Sequence, residues 1–171
     1  VQKGSIFEFA LSDENRKHVP FHGTSILKHS GAASLKKVRE DANLDAYVET
    51  RTLDSVIDKL PGINIEVIKI DTEGNEIAIL KGASQILSQS TIGCIILEHS
   101  PQITTAIELF KVIEKLLVDY VCFVLSEGGF FRRTPRLESI SSIQNLEAIT
   151  SVSNVILLRR GWTGIDDRNW T

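Results

Sequence analysis

Ile65-Glu66-Val67-Ile68-Lys69-Ile70-Asp71-Thr72-Glu73-Gly74-Asn75-Glu76 decides how this chain is read. The run is an apolar strand that delivers two acidic side chains onto a turn. Ile77, Leu80, Ala83 and Leu87 follow at helical spacing, so the turn is expected to open a helix reaching about Gln89. In open α/β sheets, ligands bind just beyond the carboxyl ends of the strands. Asp71 and Glu73 stand at such an end.

The next strand repeats the arrangement. Ile92-Gly93-Cys94-Ile95-Ile96-Leu97-Glu98-His99 is continuously apolar until its last two residues, the pattern of a strand covered on both faces. Ile103, Ile107, Phe110, Ile113 and Leu117 then predict one face of a helix, with Glu108, Lys111 and Lys115 outside. Tyr120–Leu125 and Val152–Leu158 read as strands, with a flexible Gly128-Gly129 turn and a mostly irregular stretch from Arg132 to Ile149 between them.

Upstream, Ile6–Leu11 reads as a strand ending in the polar turn Ser12-Asp13-Glu14-Asn15. From Arg16 to Gly31 the pattern is lost, which predicts a long loop holding His18, His22 and His29. Leu35, Val38 and Ala42 suggest a short helix. Tyr47–Leu53 is rich in β-formers, and Asp54 is placed to cap a helix carrying Val56, Ile57 and Leu60 before Pro61-Gly62. Strands alternating with helices from 53 to 125 argue for a largely parallel α/β sheet, with antiparallel pairing at its end. One domain spanning 1–171 is expected.

The chain has 171 residues, 42% of them hydrophobic, and a net charge of −3. That suits a globular domain with a core of its own. The charge carries no footprint for nucleic acid or an anionic membrane, and pairs such as Arg132-Arg133 and Arg159-Arg160 fit solvated ends. No apolar run approaches the roughly 20 residues of a membrane span. Cys94 and Cys122 lie inside apolar strand-like runs and read as buried free thiols, which favours a reducing, cytoplasmic setting.

If the strands before Asp71 and before Glu98 are neighbours, roughly 4.8 Å apart, then Asp71, Glu73, Glu98 and His99 share one rim. Such a group could hold a divalent metal, position a hydroxyl or serve as a general base. Structural roles compete: Asp71 or Thr72 could cap the helix, and Glu73 and Glu76 could complement its positive end. The sequence holds no Gly-x-Gly, no phosphate-binding loop and no Gly-x-Ser-x-Gly elbow, so dinucleotide binding and nucleophilic hydrolysis have no support.

With these residues in hand, the chain resembles the FkbM family of S-adenosylmethionine-dependent methyltransferases. Phe9-Ala10-Leu11-Ser12-Asp13 resembles the family's Ala-Leu-Ser-Asp strand end, and Thr52-Leu53-Asp54 its Thr-Leu-Asp. Ile68 to Glu76, continuing through Leu80-Lys81-Gly82-Ala83, is similar to its Ile-Lys-Ile-Asp-x-Glu-Gly-x-Glu and Leu-x-Gly-Ala signature. Ile95-Ile96-Leu97-Glu98 matches the following strand.

The resemblance implies a class I methyltransferase-like, Rossmann-like α/β fold: a mostly parallel sheet with the last strand antiparallel. It also implies a partial domain, since the first two strands, the glycine-rich loop and the ribose-binding acid would precede Val1. The sheet edge beside the fourth strand would then be open to strand exchange or homo-oligomers, and cofactor binding by this chain alone would be weak.

The implied activity is transfer of a methyl from S-adenosylmethionine to a hydroxyl on a sugar or small natural product. Asp71, Glu73, Glu98 and His99 are the implied catalytic candidates, and Leu11, Ser12, Asp13 and Asp71 the implied cofactor contacts, with Asp13 facing the adenine. No metal, nucleic acid or membrane partner is expected. The alternative is a non-catalytic remnant acting in binding or assembly. A metal-dependent enzyme using the four acidic-rim residues ranks behind both.

Overall fold

The structure is a computed structural model that describes residues 4–23, 33–37, 42–60, 62–89, 91–126 and 136–164. Val1, His29, Gly31, Val38, Pro61, Gly128-Gly129 and Arg132-Arg133, all used above, lie outside the described residues. The chain divides into two units, Val1–Pro61 with Thr72–Ser84, and Gly62–Asp71 with Gln85–Thr171. The boundary cuts the signature run between Asp71 and Thr72.

In the first unit, β1 (Ala10–Leu11), β2 (Arg16–Gly23) and β3 (Asn43–Arg51) form a three-stranded sheet in the order β1-β3-β2. β1 runs parallel to β3, and β2 runs antiparallel to it. The strand expected from Ile6 shrinks to two residues, and Ile6 itself is almost fully exposed.

The long loop expected from Arg16 is instead a strand as far as Gly23. Pro20 and Gly23 hide it in the sequence, yet β2 lies at the sheet's end, where a proline does not break the ladder. A register shift between Arg16 and Val19 marks a bulge, and His18 adopts φ 55° there. No helix forms over residues 33–37, the described part of the one expected around Leu35; the Ser34 backbone bridges that of His22 in both directions at 2.8 Å.

Helix α1 (Leu53–Ile57) is capped two residues earlier than expected. Thr52, not Asp54, accepts from the Ser55 N–H at 3.1 Å. The single helix expected from Ile77 to Gln89 is two: α2 (Glu76–Lys81), closed by Gly82, and α3 (Ser84–Ser88).

The second unit holds β4 (Val67–Ile70), β5 (Cys94–His99), β6 (Tyr120–Ser126), β7 (Arg136–Ile140) and β8 (Ser153–Arg159) in a sheet ordered β4-β5-β8-β6-β7. The mostly parallel sheet inferred from the sequence is incorrect. Only β4–β5 is a parallel pairing; β5–β8, β8–β6 and β6–β7 are all antiparallel. β8 inserts between β5 and β6 and replaces a parallel neighbour with two opposed ones, while β7 turns back on β6. A strand covered on both faces, as β5 largely is, reveals burial but not direction.

Rows across this sheet supply the core. Ile70, Leu97, Val155 and Val124 lie in register and are all buried, and Ile95, Leu157 and Cys122 form the adjacent row. Helix α4 (Ala106–Ile113) buries Leu109 and Ile113 but leaves Ile107 exposed, so its inner face is rotated from the expected one. A capping box between Thr105 and Glu108 starts it. Helix α5 (Ile143–Glu147) adds the buried Leu146.

Candidate functional site

The turn after β4 is built around the side chain of Glu76, the first residue of α2. Glu76 is buried, and its Oε1 accepts three hydrogen bonds: from Thr72 N–H (3.0 Å), Thr72 Oγ1 (3.0 Å) and Gly74 N–H (3.1 Å). A carboxylate removed from water needs such donors. Neither Asp71 nor Thr72 caps α2; Asn75 occupies the cap position without a side-chain cap bond.

The backbone that follows this oxygen is unusual. Glu73 sits at φ 52° and Gly74 at φ 102°. Left-handed geometry is easy for Gly74 but disfavours an L side chain such as that of Glu73, by about 1–2 kcal/mol. On its other side the turn is held by Ser34, a buried residue whose Oγ donates to the Glu73 carbonyl at 2.8 Å.

Two further contacts within this unit join the turn to the end of β1. Asn75, also buried, donates from Nδ2 to the Leu11 carbonyl at 2.8 Å. Gly82 lies against the next peptide: a Cβ there would stand 2.0 Å from the Ser12 carbonyl oxygen. This close approach, not a special φ, is what requires glycine in the Leu-x-Gly-Ala segment.

The strand end is itself pinned. Ser12 N–H donates to the Arg51 carbonyl (2.9 Å) and Ser12 Oγ to Asp13 Oδ1 (3.1 Å), while Asn15 Oδ1 accepts from Thr52 N–H (2.8 Å). Asp13 is exposed. The unit thus brings Leu11, Ser12 and Asp13 together with the Glu73 turn.

The second unit places the remaining candidates. Ile70 pairs with Leu97 in parallel register, so Asp71, the first residue after β4, and Glu98, the penultimate residue of β5, follow neighbouring paired positions. Asp71 is exposed and paired with Lys69 Nζ at 2.9 Å, a surface contact of small energetic weight. Glu98 lies in register with Asn154 of β8. His99 is separated from this group: the two-residue period of a strand turns it to the opposite face, where it is 2% exposed.

Among the described residues no three His, Cys, Asp or Glu side chains converge as a metal ion requires. Both thiols are free and buried, and burial pushes the Cys122 thiol up to about 12 and raises that of Cys94. Neither is a nucleophile at neutral pH. No helix of the described residues is long and apolar enough to cross a membrane.

The family model described as the Methyltransferase FkbM domain matches residues 2–130. The chain belongs to the FkbM methyltransferase family. All the candidates named above fall inside the FkbM match, whereas β7, α5 and β8 lie beyond it. No curated protein and no solved structure matches the chain.

Glu76, Asn75 and Ser34 were missed by sequence reasoning. Glu76 was legible only as an acid at the helix start, and neither Asn75 nor Ser34 carried a signal, Ser34 because its partner is 39 positions away.

Proposed function

We propose that this chain takes part in methyl transfer from S-adenosylmethionine to a hydroxyl oxygen of a sugar or small natural product, in a cytoplasmic setting. Family membership supports the reaction class. The observation that carries the site is Glu73: an acid kept in left-handed backbone geometry where glycine would fit without strain. Such outliers persist where the surrounding structure over-determines them, and they concentrate at functional positions.

The residues at the end of β1 suit part of the cofactor. Asp13 offers exposed acceptor oxygens of the kind an adenine amino group or a ribose hydroxyl needs, whereas the Ser12 N–H is already engaged. When bound, the sulfonium supplies an electrophilic methyl; the acceptor oxygen forms the new C–O bond as the C–S bond breaks. Most of the rate then comes from alignment. The acceptor's proton passes to a carboxylate, with Glu73, Asp71 and Glu98 the candidates. His99 is too buried to touch an acceptor and is a candidate only for orienting others.

The test is acceptor-dependent release of S-adenosylhomocysteine with a panel of sugars and phenolic natural products. Turnover that falls on substituting Glu73→Gln or Asp71→Asn supports the reading. Binding of S-adenosylmethionine without transfer to any hydroxyl would remove it.

A second reading, assembly through β4, is favoured by that strand's place at one end of its sheet and by the exposure of Ile63 and Val67. Light scattering decides it: a dimer that dissociates on Val67→Lys supports assembly, and a monomer at all concentrations opposes it.

A further inference from the structure

We infer that Glu76 is a positioning residue, whose single carboxylate oxygen holds the Glu73 turn in its working geometry. Three donors from two residues, Thr72 and Gly74, converge on Oε1. They bracket Glu73 on both sides in sequence, and the backbone held between them carries the φ of 52°. Backbone N–H groups that converge in a turn favour an anion between them. Here the Glu76 carboxylate takes that place, and the buried Ser34 donates to the Glu73 carbonyl.

The strand end bearing Asp13 is tied separately, by Asn75 Nδ2 donating to the Leu11 carbonyl. Glu76 is buried beneath the turn and does not itself face an acceptor. Its effect on chemistry is exerted through Glu73. That consequence rests on the methyl-transfer reading; the clasp does not.

An acceptor oxygen is what the three bonds need, and a glutamine amide carries one in the same place. Glu76→Gln therefore preserves the clasp, and Glu76→Ala abolishes it. The test follows amide exchange by NMR in the full chain, beside methyl-transfer kinetics with S-adenosylmethionine and an acceptor from the panel above. In Glu76→Ala, exchange at Thr72 and Gly74 rises at least about tenfold, because a charge-assisted bond is lost at each.

In the same variant kcat falls about a hundredfold with little change in the KM for S-adenosylmethionine, the scale of a displaced catalytic group. Glu76→Gln recovers most of both. Should Glu76→Ala fail to fold, Thr72→Val deletes one of the three donors and raises exchange at Gly74 by about threefold. Unchanged protection at Gly74 in these variants overturns the clasp, and a Gln variant as damaged as Ala overturns the acceptor geometry. A loss carried by KM alone overturns the positioning role. An unsubstituted chain without turnover counts against methyl transfer, while exchange still reads the clasp.

Discussion

The turn at Thr72–Glu76 and the sheet around β5, β6 and β8 are held by opposite means. The sheet is filled mainly by apolar side chains: Leu97, Val155 and Leu157 are wholly buried, and the buried Tyr120 hydroxyl finds the Ile92 carbonyl at 2.9 Å. The turn is filled by polar atoms, each with a specified partner, around a backbone angle that is locally unfavourable. Apolar burial is non-directional and supplies stability; directional bonds supply position. Substitutions in the sheet should therefore act on stability, and substitutions in the turn on position.

The largest effect belongs to the sheet. Leu157→Ala should lower unfolding free energy by about 2–5 kcal/mol in denaturant titration, the range for emptying a packed site. A loss well under that would mean the core is looser than its burial implies. Gly82→Ala comes next, at about 1–3 kcal/mol, because its new methyl must push the Ser12 peptide aside. Chemical shifts at Ser12 and Asp13 should move with it; if they stay, the close approach is wrong.

Alkaline pH separates the regions more gently. The Cys122 thiol ionises near 9 when unfolded but only at about 12 when folded, through burial. Between those values the unfolded chain binds fewer protons, so stability falls as pH rises. Cys122→Ala should make that decline shallower, which thermal melts across the window will show. Native thiols should also resist alkylation at pH 8, and rapid labelling would contradict their burial.

The same division governs what the sequence disclosed. Periodicity located β4, β5, β6 and α4, because burial leaves a repeating apolar signature. It did not disclose strand direction: β8 enters between β5 and β6 through long-range pairing that no local pattern records. β2 was hidden by Pro20, Gly23 and a bulge at His18, all compatible with an edge. The acids at Asp71, Glu73 and Glu98 were visible as strand ends, and the register sets Asp71 beside Glu98. Glu76 was visible only as a helix-start acid, since its three-bond role depends on the turn already being folded.

The smallest effect on stability is the most informative about function. Glu73→Gly relieves the left-handed angle but adds freedom to the unfolded chain, so unfolding free energy should change by no more than about 1 kcal/mol. The carboxylate, however, is gone. The decisive measurement is acceptor-dependent release of S-adenosylhomocysteine by this variant, beside its melting curve. Glu73→Gly should melt like the unsubstituted protein, with turnover reduced at least about a hundredfold, the scale of a lost general base. Full turnover in a stably folded Glu73→Gly protein would contradict it.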